Sequence, residues 1–204
     1  MHHRIYNKAE EMIIIKIKNI LQYKLIKIIV DKILVKLYNT SVSRYKSVKI
    51  NMMGVLCMYS ALEIAKWFLA ENRRRMIDGE SDFLTHLKLQ KLLYYAQGCH
   101  LALKDRKLFG ENIVAWAHGP VVEKVYRKYK DFGSSPIVFD EEYRQTIDTE
   151  TEGILREVFD VFGQYSAWKL REMTHSEDPW KLTERNKVIE IDLIKDYFKR
   201  EYIA

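Results

Sequence analysis

From about residue 58 onward, apolar side chains recur with a helical period. The strongest run is Leu84–Gly98 (LTHLKLQKLLYYAQG). Leu89, Leu92, Leu93 and Ala96 fall at i, i+3, i+4 and i+7, one face of a 3.6-residue repeat. Thr85 is placed to cap this helix, which is predicted to run to about Leu103. Lys88, Gln90 and Lys91 lie off the stripe. An earlier helix is signalled by Ser60 and Glu63, an S-x-x-E capping box, followed by Ala61, Ile64, Ala65 and Phe68 on one face with Trp67 beside it. It is expected to fade at Arg73–Arg75, read as a solvated helix end whose charge suits the dipole. Ile77–Asp82 reads as a turn-rich loop.

Downstream, Trp116–Tyr129 (WAHGPVVEKVYRKY) begins extended and breaks at His118-Gly119-Pro120. Gly119 permits the bend, and Pro120 has the fixed φ suited to a first helical turn. The helix that follows carries Val122, Val125, Tyr126 and Tyr129, with Glu123 near its positive end and Phe132-Gly133 as its stop. Asn112–Trp116 and Ile137–Phe139 read as short strands. Thr149 and Glu152 form a second capping box, before a stripe of Ile154, Leu155, Val158, Phe159 and Phe162 closed by Gly163. Ser166 caps a helix with Leu170 and Met173 that breaks over Thr174–Asp178. Asp178-Pro179 starts a short turn with Trp180 inward, and Ile191–Phe198 is a last amphipathic helix. The pattern predicts a mainly α fold: one compact helical domain with a minor short β element.

Composition adds a boundary. The chain has 204 residues, 48% hydrophobic and 30% charged, enough for a packed core with room for an extension. Its formal charge of +6 is unevenly spread. Residues 1–57 hold 11 basic and 3 acidic side chains, a net of +8. The remaining 23 basic and 25 acidic residues give −2. The domain predicted over 58–204 therefore carries no bulk-charge case for binding nucleic acid. Residues 1–57 are an Ile- and Lys-rich extension without Pro. Its recurring lysines exclude a transmembrane span, and it lacks a signal-peptide pattern. It has two readings. One is a basic amphipathic helix for a membrane surface or acidic partner. The other, favoured here, is translated upstream sequence preceding a start at Met52, Met53 or Met58, because its commonest residues have AT-rich codons.

Candidate chemistry is sparse. His118 and His175 are the histidines placed for catalysis or metal binding. No Cys, His or acid stands at ligand spacing from either, so structural hydrogen bonds are the favoured reading. Cys99-His100 are adjacent on a helix and point about 100° apart, which makes them a poor nucleophile–base pair; Cys99 reads as a small buried side chain. Glu141-Glu142 and Glu177-Asp178 read as solvated loop acids. Phosphate-loop, H-E-x-x-H and C-x-x-C motifs are missing from the sequence. The two cysteines suggest no disulfide framework and fit a cytoplasmic location. No catalytic residue, metal or cofactor is expected. Aromatic residues are plentiful. Tyr94 and Tyr95 point in different directions on their helix, so one is expected to be exposed. Tyr94, Tyr95, Trp116 and His118 are the candidate partner-binding residues.

Three blocks in order, LKLQKLLYYAQG, WAHGPVV with VYRKY, and YSAWKLREMTHSEDPW, resemble the SocA-like antitoxin family, whose shared region is called the Panacea domain. The residues carrying the resemblance include Leu89, Lys91, Leu92, Gly98, Gly119, Pro120, Tyr126, Thr174, His175, Pro179 and Trp180. The resemblance implies a non-enzymatic antitoxin that binds and neutralises a cognate protein toxin. In the founding member of the family the antitoxin also delivers its toxin to a cytoplasmic protease, a second candidate partner. The alternatives are a phage- or mobile-element-associated interaction protein without a toxin, a nucleic-acid-binding regulator and a His-dependent enzyme.

Overall fold

In the computed structural model the described residues are 58–77, 83–144 and 146–203. The basic extension over 1–57 and most of the turn-rich loop, 78–82, lie outside them. The order is α1 (Ala61–Ile77), α2 (His86–Lys104), β1 (Val114–Trp116), β2 (Gly119–Val121), α3 (Glu123–Tyr129), α4 (Thr149–Phe162), α5 (Ala167–Ser176), α6 (Asp178–Lys181) and α7 (Ile191–Phe198). A 3-10 turn, Lys130–Phe132, follows α3, and a π turn, Lys199–Ile203, follows α7. The structure is thus mostly helical with a two-stranded antiparallel sheet, as the pattern predicts.

Helix α2 is the axis. It packs against α1, α3, α4, α5, α7 and β2, and every residue from Lys88 to Leu101 is buried. The apolar stripe anticipates half of this. Lys88, Gln90 and Lys91 lie off that stripe yet are buried too, because neighbours cover the helix all round. Lys88, Gln90, Lys91 and Gln97 are each matched to a partner, as burial requires. Lys88 Nζ donates to the Gly163 carbonyl at 2.6 Å. Gln90 exchanges two hydrogen bonds with the Val122 backbone. Gln97 does the same for the turn at Leu108-Phe109. One core runs through the described residues, with Phe68, Leu92, Tyr95, Phe109, Leu155, Phe162 and Phe198 among its large members.

Helix ends follow local chemistry with one exception. The Ser60/Glu63 box forms in both directions, and Thr85 and Ser166 cap α2 and α5. Helix α4, however, is capped by Asp148, one residue before the expected Thr149. Its carboxylate accepts from the Glu150 and Thr151 amides and from the Tyr59 hydroxyl. Thr149 is the first helical residue. The arginines at the end of α1 are more than a solvated terminus: Arg74 and Arg75, with Arg156 from α4, converge on buried Glu71. Burial alone would raise the Glu71 carboxyl; these guanidiniums instead pull it down to about 2.

The β element also differs in detail. Pro120 does not open a helix. It sits in β2 opposite Ala115, and α3 begins at Glu123. Proline is tolerated there because its missing N–H strands no acceptor: the Ala115 carbonyl accepts from the Asn186 N–H at 2.8 Å, and the Ala115 N–H donates to the Lys187 carbonyl at 2.9 Å. The 186–189 segment thereby covers the second edge of β1. Ile137–Phe139 form no strand. Ile137 makes a single backbone bond to Leu84 beside a bridge between Thr85 and Pro136.

Candidate functional site

The three blocks converge where α2, the hairpin and the α5–α6 kink meet. Glu177 stands at the kink in an extended conformation, between two helices. It is 2% exposed, so its reading as a solvated loop acid fails. Three phenol hydroxyls donate to its carboxylate: Tyr94 at 2.7 Å, Tyr95 at 2.8 Å and Tyr202 at 2.8 Å. Burial pushes the Glu177 carboxyl up, and the three phenols with Lys91 pull it back. Burial and the carboxylate together push all three tyrosines well above their ordinary range. Tyr95 stacks on Phe162 at 3.8 Å and Tyr94 meets Phe198 edge-on. Both are fully buried, so the expected exposed tyrosine on α2 does not exist. The 100° turn between neighbouring positions separates their directions, but α4, α5 and α7 enclose both.

Lys91 is buried completely, with Nζ donating to the Pro120 carbonyl at 2.9 Å. Burial, with Arg171 adding repulsion and Glu177 opposing, lowers it to about 7. This lysine explains the glycine of the bend. Gly119 has φ +98°, and a Cβ there would stand 2.5 Å from Lys91 Nζ and 2.7 Å from Thr174 Oγ1. Thr174 Oγ1 donates back to the Arg171 carbonyl. Gly98 has a parallel role, since a Cβ would run into the Phe198 ring of α7. Leu89 and Leu92 fill the core beside them, and Pro179 is buried in the first turn of α6. These motif residues are thus joined as one packing unit.

Outside that unit lies a surface. His118, exposed in the hairpin turn, accepts from Arg171 Nε through Nδ1 at 3.2 Å. Arg171 lies over Trp168, 4.6 Å from the ring, and Trp168 is 57% exposed. His175 stacks flat on Trp180 at 3.8 Å, and Arg185 covers the same indole. Trp180 Nε1 donates to the Trp116 carbonyl, while the half-buried Trp116 ring packs on Tyr126. His175 is pushed down to about 4 by burial, then by Arg171, Lys91, Arg185 and His118. Its Nε2 is buried without a hydrogen-bond partner.

His118 and His175 therefore share one neighbourhood. They do not form a pair like a catalytic dyad: His118 is bonded to Arg171 and His175 is stacked on Trp180. Cys99 is buried and raised to about 12, chiefly by burial, which keeps the thiol protonated. No group of three His, Cys, Asp or Glu among the described residues is arranged to hold a metal ion. No helix among them is long and apolar enough to cross a membrane. Trp168, Arg171, Arg185 and Glu177 are the residues that sequence reasoning missed. Trp168 and Glu177 lie within the third block, yet their exposure and burial depend on contacts distant in sequence.

No curated protein and no solved structure matches the chain. The family model described as Antitoxin SocA-like, Panacea domain, matches residues 89–181, a stretch that takes in nearly all of the three blocks and the whole of the Lys91–Gly119–Thr174–Glu177 unit, so this part of the chain is similar to the SocA-like Panacea family.

Proposed function

We propose that this protein is an antitoxin that neutralises a cognate protein toxin by binding it, with residues 58–204 as the working domain. The family match carries this reading. The geometry supports it in one respect. The motif residues spend themselves on holding a rigid internal frame, and that frame presents Trp168, His118 and Arg171 together at the surface. Tryptophan and arginine are the side chains that dominate protein-interface energetics. Masking of the toxin's active surface is the mechanism; hand-over to a cytoplasmic protease is a further step that some partners would add. His118 keeps its place among the partner-binding residues, Trp116 acts behind it, and Tyr94 and Tyr95 contribute as buried supports.

The test is growth rescue. The small gene adjoining this one is expressed in a bacterial host alone, with the full chain, and with a chain beginning at Met58. Toxicity of the neighbour alone, rescue by both chains and co-purification of the two proteins are expected. A harmless neighbour, or toxicity that persists beside well-folded protein, rules out antitoxin action for that pair. Rescue by the full chain only would move the working domain into the N-terminal extension.

A further inference from the structure

The surface beside the hairpin has an unbalanced charge. Five arginines of the described residues find carboxylates: Arg74, Arg75 and Arg156 share Glu71, Arg127 pairs with Glu123, and Arg200 with Asp178. Arg171 and Arg185 make no carboxylate pair among the described residues. Each is laid over an indole instead, Arg171 on Trp168 and Arg185 on Trp180. Glu172, next to Arg171, faces Lys169, and Asp178 faces Lys181 and Arg200; Glu184, next to Arg185, is exposed and forms no ion pair with it. His118 adds a donor. Its Nδ1 accepts from Arg171, which leaves the ring proton on Nε2 of an exposed imidazole. His175 adds a buried ring nitrogen without a partner.

We infer that the face formed by Trp168, Arg171, His118, His175, Trp180 and Arg185 receives an acidic segment of a protein partner, its carboxylates meeting Arg171, Arg185 and His118. Stacked guanidiniums keep their N–H edges free for carboxylates while their faces are held by the indoles, and a planar fork fixed in advance loses less entropy on pairing. The domain's net charge is −2, so a partner is selected by this local patch rather than by bulk attraction. The inference deepens the antitoxin reading by giving the chemistry of the partner's contact, and it rests on that reading for the partner's identity.

The full chain, labelled with 15N, is titrated with an acetylated and amidated hexaglutamate peptide. The readout is the indole N–H signals of its four tryptophans. Saturable shifts of Trp168 and Trp180 are expected, with Trp67, buried in α1, unmoved. Affinity should fall about tenfold in the Arg171→Gln/Arg185→Gln variant, the scale of two semi-exposed ion pairs, and should weaken with added salt. Both arginines lie outside the core, so the variant keeps the fold; its unchanged Trp67 signal checks this. Lack of saturable shifts, equal affinity in the variant, or equal affinity for hexalysine overturns the proposal. Tighter binding of inorganic phosphate or a single-stranded oligonucleotide than of the peptide also overturns it, in favour of a phosphate site. Growth rescue without peptide binding would remove the acidic-segment site and leave the antitoxin reading standing. Peptide binding without rescue would do the reverse.

Discussion

Gly119 shows how one residue links three elements. Its φ of +98° is a conformation that side chains rarely adopt, and the space its Cβ would take is held by Lys91 and Thr174. Gly119→Val meets both obstacles. The backbone alone should cost about 1–3 kcal/mol, and Lys91 must also leave the Pro120 carbonyl. A fall in the urea midpoint with an unchanged slope would report this; a midpoint equal to wild type would remove the argument. Lys91 permits a second measurement. Its folded value of about 7 lies below the unfolded value near 10.5. Between those limits the unfolded chain binds the extra proton, so stability rises with pH across that window and the burial penalty is fully present below it. Wild type should therefore gain on Lys91→Met as pH rises from 7 to about 9.5. Parallel stability curves would show that Lys91 stays charged in the fold. The buried tyrosines act oppositely only above their unfolded value near 10, and both proteins contain them.

Helix α4 is where the element reading was correct and its boundary was one residue out. The stripe of Ile154, Leu155, Val158, Phe159 and Phe162 is buried as its spacing requires. A Thr-x-x-Glu pattern marks Thr149 as the cap, but Asp148 takes that place because its carboxylate reaches two amides of the first turn and Tyr59 as well. Asp148→Ala should cost about 0.5–2 kcal/mol as a lost cap, and Thr149→Ala only a few tenths. Thermal midpoints of the two variants decide the matter, and the reverse order would restore Thr149 as the cap. The hairpin makes a similar point. Local preference places Pro120 in a helix, but the unused amide of a proline also suits a strand position whose partner bonds elsewhere. The 186–189 segment supplies that second partner from some seventy residues away.

At the scale of the molecule, the two layers of the described domain divide the work. The interior layer, Lys91, Tyr94, Tyr95, Glu177 and Tyr202, spans α2, the α5–α6 kink and the turn after α7. Lys91 and Glu177 lie within Coulombic reach but bond to different partners. Buried charges of this kind are a poor source of net stability, yet removing one partner is costly because it strands the other. Their effect is to hold the kink and the hairpin in one arrangement. In the proposed complex the outer layer would meet the partner with side chains whose orientation is already set, which lowers the entropy lost on binding.

Much of this was legible in the chain alone. Helical periodicity and capping signals located six of the helices of the described residues, and Asp178-Pro179 marked the short seventh, because these are local properties of about eighteen residues or fewer. The three ordered blocks located the family. The fate of the polar residues was decided only in three dimensions. Nothing in the spacing of Lys91, Tyr94 and Tyr95 distinguishes an exposed side of a helix from a side covered by other helices. Nothing near Glu177 announces three phenols arriving from Tyr94, Tyr95 and Tyr202. Burial is a sum over neighbours distant in sequence, whereas periodicity and capping are sums over neighbours within a turn or two. The sequence by itself therefore determined the helices and the family resemblance, and tertiary packing determined which motif residues form the buried frame and which lie at the surface.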